Sequence, residues 1–85
     1  MVEMVSEFQM NIIGSYVYAY LKSFEDLAQD PSLENRYESN LSSLSDILSV
    51  LLDKPVKPEH EFLGISTSLP REEFAKKVRE VVEAF

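Results

Sequence analysis

Residues 30–53 read DPSLENRYESNLSSLSDILSVLLD, and the periodicity of this stretch decides the fold. Leu33, Tyr37, Leu41, Leu44, Leu48 and Leu51 follow one another at steps of three or four. On a helix that spacing gathers all six into one stripe, the seam of a coiled-coil-like pairing, with Ile47 and Leu52 flanking it. Asn35, Glu38, Ser42, Asp46, Ser49 and Asp53 fall on the opposite side, an acidic, serine-rich face expected in solvent. The five serines between Ser39 and Ser49 are poor helix formers, so this helix depends on packing of its leucines more than on intrinsic propensity. Asp30 suits an N-cap and Pro31 the first helical position, which places the helix over about 31–53.

Upstream, about 2–29 also carries a helical period. Placed at 100° per residue, Val5, Phe8, Ile12, Tyr16, Ala19 and Tyr20 share one side, and Ile13, Val17, Phe24 and Leu27 widen it to an apolar arc of roughly 200°. Glu3, Glu7, Asn11, Lys22, Glu25 and Gln29 fill the remainder. Gly14 beside Ser15 marks a tolerated glycine or slight bend, or else a point of close approach for another backbone. With only Asp30–Ser32 between two long helices, the pair must fold back as an antiparallel hairpin.

Downstream, Pro55 and Pro58 stop the second helix by removing backbone donors and extending the residues before them. The connector spans about 54–69, with room for one helical turn over Glu59–Leu63 before Gly64. Its apolar Val56, Phe62, Leu63 and Ile65 are expected to pack on the hairpin. A third helix over about 70–84, bounded by Ser68 or Leu69, presents Phe74, Val78, Val81, Val82 and Phe85 on one side. Glu72 with Lys76 and Glu73 with Lys77 stand four apart in the favourable order.

The 85 residues make one domain, 1–85, at the low end of what folds alone. The expected fold class is all-α: an antiparallel helical hairpin of two long helices plus a C-terminal helix. One antiparallel neighbour covers only part of the broad arc on the first helix. The remainder is covered either in cis, as a three- or four-helix bundle, or by a second chain, and the homodimer is the favoured arrangement.

Composition narrows function by exclusion. Fifteen acids against eight bases give a net charge of −7, which disfavours nucleic acid and anionic membranes as partners. Residues 1–53 hold nine acids and two bases, whereas 54–85 hold six of each, so the hairpin carries the whole excess. No apolar run reaches the length of a spanning or signal segment, so the chain is read as soluble and cytoplasmic, without a membrane partner.

Cysteine is absent, and Gly14 and Gly64 stand too far apart for a phosphate-binding loop. The sole histidine, His60, sits between Glu59 and Glu61, and adjacent residues do not share a face; it is read as an exposed loop residue. No catalytic, cofactor-binding or metal-ligating residue is therefore assigned, no cofactor is expected, and the chain is read as a non-enzymatic protein–protein interaction or regulatory module. The alternative is a nucleic-acid-associated regulator using Arg71, Lys76, Lys77 and Arg79 of the C-terminal helix, against which stand Glu72 and Glu73 at its start. A small enzyme built on His60 is a third and weaker reading. Tyr18 alone among the aromatic residues of the first helix projects among polar positions near Asn11 and Lys22, which makes it the candidate contact for a partner.

Overall fold

A computed structural model describes residues 6–58 and 60–85. Within them the chain is all-α: α1 (Glu7–Gln29), a 3-10 turn (Pro31–Leu33), α2 (Glu34–Leu52) and α3 (Arg71–Ala84), with no strand among the described residues. The hairpin and the C-terminal helix are as the periodicity implies, and the boundaries move for local reasons. α1 begins at Glu7, and residues 2–5 of the expected first helix lie outside the described residues. Ser6 is extended and closes a capping box, its hydroxyl accepting from the Gln9 backbone N–H at 3.1 Å while the Gln9 side chain accepts from the Ser6 N–H at 3.0 Å. Val5 lies outside the described residues, as does Glu59.

Asp30 ends α1 and caps the 3-10 turn, accepting from Ser32 N–H at 3.0 Å, so that Pro31–Leu33 wind more tightly before α2 begins at Glu34. At the other end Asp53 adopts a left-handed conformation (φ 54°), where its N–H and that of Lys54 meet the last carbonyls of α2. Pro70, not Ser68 or Leu69, is the boundary residue of α3. Consecutive turns, from Leu63 N–H to His60 O and from Ile65 N–H to Phe62 O, occupy the place of the expected helical turn over Glu59–Leu63.

Packing corrects the rotation of α1. Its buried residues are Met10, Ile13, Val17, Tyr20, Leu21 and Ser23, whereas Phe8, Tyr16 and Ala19, assigned to the core side by periodicity, are exposed. The 200° arc was real, and the core took the edge of it that α2 and α3 share. Ile13, Val17, Tyr20, Leu44 and Leu48 are sealed from solvent, with Tyr37, Leu41, Ile47, Leu51 and Leu52 partly buried around them. Tyr20 satisfies its hydroxyl against that of Tyr37 at 3.1 Å, and their rings lie 5.4 Å apart. Ser23 satisfies its own hydroxyl on the Tyr20 carbonyl at 2.7 Å.

The connector packs as its apolar residues imply: Val56, Phe62 and Ile65 join the core and Leu63 lies partly against it. Ser49, expected in solvent, is corrected. Its hydroxyl accepts from Val56 N–H at 3.0 Å, while the Ser45 hydroxyl donates to Val56 O at 2.6 Å, so two serines of α2 hold one connector residue. From there the chain crosses to Phe62, whose ring faces Phe85 at 6.1 Å. α3 packs on α1 through Phe74, Val78 and Val82. It runs from Tyr18, whose ring meets Phe74, toward the open end of the hairpin, where Lys54 Nζ donates to the Phe85 carbonyl.

Truncation should therefore be costly where the seam is sealed and nearly free opposite it. Leu44→Ala and Leu48→Ala are expected to lose about 2 to 5 kcal/mol each in urea unfolding. Ser42→Ala, at an exposed position opposite the seam, should stay within about 0.5 kcal/mol of wild type.

Candidate functional site

Two surfaces on α1 are left available by this packing. One is an open cleft of about 690 Å³ between α1 and α3. Met10, Gly14, Phe74, Ala75 and Val78 give it apolar lining, Asn11 and Ser15 a polar edge on α1, and Arg71, Lys76 and Arg79 a basic wall on α3, with Glu7 and Glu72 the acids among its lining. Tyr18, the residue singled out by sequence, lines this cleft. Its ring stands edge-on to Phe74 at 5.8 Å and 74°, and it remains 45% exposed, so one side is fixed by packing and the other faces outward. Asn11, the neighbour expected of Tyr18, lines the same cleft; Lys22 reaches instead to Glu25 at 3.5 Å.

Gly14 lies in the cleft and explains part of its depth. No heavy atom of the described residues stands within 4 Å of where a Cβ would project, so none of their backbone makes the close approach that the sequence allowed there. On α3, Arg79 pairs with Glu83 at 3.9 Å, about two turns beyond the pairs expected at Glu72–Lys76 and Glu73–Lys77.

The position of α3 is tied down by a contact far away in sequence. Thr67, just before α3, donates its hydroxyl to Glu25 Oε2 at 2.7 Å. That hydrogen bond holds the Glu25 carboxyl below its ordinary 4.5 against the opposing effect of desolvation, with Lys22 a lesser help. Asp30 is likewise lowered, by the Ser32 hydroxyl at 2.7 Å and the Ser32 N–H. Because both carboxyls titrate lower folded than unfolded, what they contribute is present above the unfolded value and is lost as pH falls through the folded one. His60 is exposed, its N–H on Glu61 Oε1 at 3.2 Å. Among the described residues no group of three or more His, Cys, Asp or Glu is placed to hold a metal ion.

The second surface is the one sequence reading assigned to the core. Asn40 Nδ2 donates to the Ala19 carbonyl at 3.4 Å, which fixes the register of the antiparallel pair. Stepping along both helices from that contact sets Tyr16 beside Ser43, Ile12 beside Ile47 and Phe8 beside Val50. Phe8 and Val50 are each 73% exposed and Tyr16 39%, so this side of the hairpin, away from the connector and α3, is an apolar strip in solvent. From Phe8 to Ala19 α1 holds no charged residue, and from Asn40 to Val50 on α2 the one charge is Asp46, which borders the strip one turn from Val50.

No family model, no curated protein and no solved structure matches this sequence. What defines the class is therefore the geometry itself, an all-α hairpin braced on one side by a C-terminal helix. No helix among the described residues is long and apolar enough to cross a membrane.

The cleft and its anchor each lead to a measurable outcome. Gly14→Ala, with free space for its methyl group and a helical backbone, should raise stability by about 0.5 to 1 kcal/mol in urea unfolding. Thr67→Val should move the Glu25 carboxyl titration, followed by NMR, upward toward the ordinary carboxylate value, leaving that of Asp30 in place.

Proposed function

We propose that this protein is a non-enzymatic helical interaction module that binds another protein through the α1/α3 cleft. The observation that carries the reading is Tyr18 itself. A half-exposed aromatic ring, braced edge-on by Phe74 and set beside an apolar floor, is the kind of anchor around which binding energy concentrates. The charge of the cleft indicates the partner. In a chain of net charge −7, its lining holds three bases against two acids, so it favours a segment that buries an apolar side on Met10, Phe74 and Val78 and offers carboxylates to Arg71 and Lys76. The same bases serve the nucleic-acid alternative less well, because α3 interleaves Arg71, Lys76, Lys77 and Arg79 with Glu72, Glu73, Glu80 and Glu83.

The test uses the whole chain as bait in extracts of the cells that make it, followed by titration calorimetry on the purified partner. Tyr18→Ala, Lys76→Glu and Gly14→Leu, the last filling the cleft floor with a good helix former, are each expected to weaken binding by about tenfold or more. Ser42→Glu, on the far side of α2, should leave it unchanged. Equal affinity across all variants would overturn the reading. Binding of DNA or RNA that fades steeply with salt would favour the alternative.

A further inference from the structure

We infer that the strip formed by Phe8, Ile12 and Tyr16 of α1 with Ser43, Ile47 and Val50 of α2 is covered by the same strip of a second copy, pairing two hairpins about a two-fold axis. The inference deepens the module reading, which rests on the other flank of α1. Phe8 and Val50 are too exposed to contribute to the core, yet they are aligned with Ile12, Tyr16 and Ile47 by the register that Asn40 and Ala19 set. A single misplaced apolar residue is ordinary; an aligned row spanning two helices is a surface.

Charge identifies the occupant. The hairpin holds nine acids against two bases, and an isologous contact sets one patch against the same patch of the copy, so a patch of one sign would repel itself. Across this strip the acids are missing: serine, asparagine and alanine stand between the apolar residues, while Glu7, Asp26, Asp46 and Asp53 remain outside it. An uncharged strip on so acidic a hairpin is what self-pairing requires, and it offers a charged partner nothing to recognise.

Size agrees. Eleven residues of helix span about 17 Å and two adjacent helices about 20 Å, which with the relief of side chains gives roughly 600 Å² of accessible surface per copy. Doubled, that reaches the small end of specific interfaces, about 1,200 Å². The pairing turns two hairpins into a four-helix core with each α3 outside. Tyr18 lies about 120° around α1 from Ile12 at 100° per residue, so the cleft of each copy stays open and the assembly is bivalent.

The test is the solution mass by light scattering across a hundredfold range of concentration. The expected result is twice 9.7 kDa at the upper end, with Phe8→Glu/Val50→Glu reduced to a monomer of unchanged helical circular dichroism. A wild type that is monomeric throughout, a dimer indifferent to the double glutamate variant, or a mass that climbs past the dimer would each overturn the inference. Its failure is separable from that of the cleft: a monomer that still loses its partner with Lys76→Glu overturns the dimer alone, and a dimer abolished by Phe8→Glu/Val50→Glu whose partner binding is indifferent to Lys76→Glu overturns the cleft alone.

Discussion

The shared burial of Ile13, Val17 and Tyr20 with Leu44 and Leu48 is the constraint on which the rest of this small protein depends. These five side chains are wholly removed from water, and the rest of the core, Met10, Leu21, Val56, Phe62, Ile65, Phe74, Val78 and Val82, is built around them. Once they face one another, the rotation of α1 is settled. Met10 and Leu21 turn inward toward the flank that α3 shares, and Phe8 and Tyr16 turn out to solvent. The hydroxyls of Tyr20 and Tyr37 meet within the seam, so ring burial there strands no polar atom.

The second constraint is the path of the connector. A proline-rich segment cannot extend α2, and it has no regular ladder to satisfy its own backbone. Ser45 and Ser49 supply the missing partners at Val56. The residues that weaken α2 as an isolated helix are thus the ones that fasten the next segment to it. From Val56 the chain fills the space beside α2 with Phe62 and Ile65, reaches Glu25 through Thr67, and returns along α1 as α3. α3 therefore covers one flank of the hairpin, and among the described residues no element covers the other.

That one-sided bracing gives α1 its two free surfaces, and they differ in chemistry. The cleft beside α3 is lined by bases and an aromatic ring, features suited to a partner of opposite charge. The strip on the far side is uncharged and apolar, a composition suited to a copy of itself. Both readings depend on where α3 lies, since it forms one surface and fails to cover the other. A helix this broadly apolar has more faces to bury than a short chain has elements to cover them.

Much of the fold was legible in the residues. The leucine steps of α2, the Asp30–Pro31 stop between the helices, and the prolines of the connector reflect local geometry and backbone chemistry, which act over a few residues and need no partner to be read. The half-exposure of Tyr18 was also legible, because its polar neighbours at helical spacing place it beside the core and not within it. What only the tertiary structure decided was the choice among equivalent faces. A 200° apolar arc fits several rotations about equally well, and periodicity cannot say which edge α2 and α3 will share; Phe8 and Tyr16 were lost to solvent by that choice. Ser49 was misread for the same physical reason. A hydroxyl opposite the seam belongs in water unless another segment brings it an unpaired backbone group, and Val56 comes there only once it packs into the core with Phe62 and Ile65.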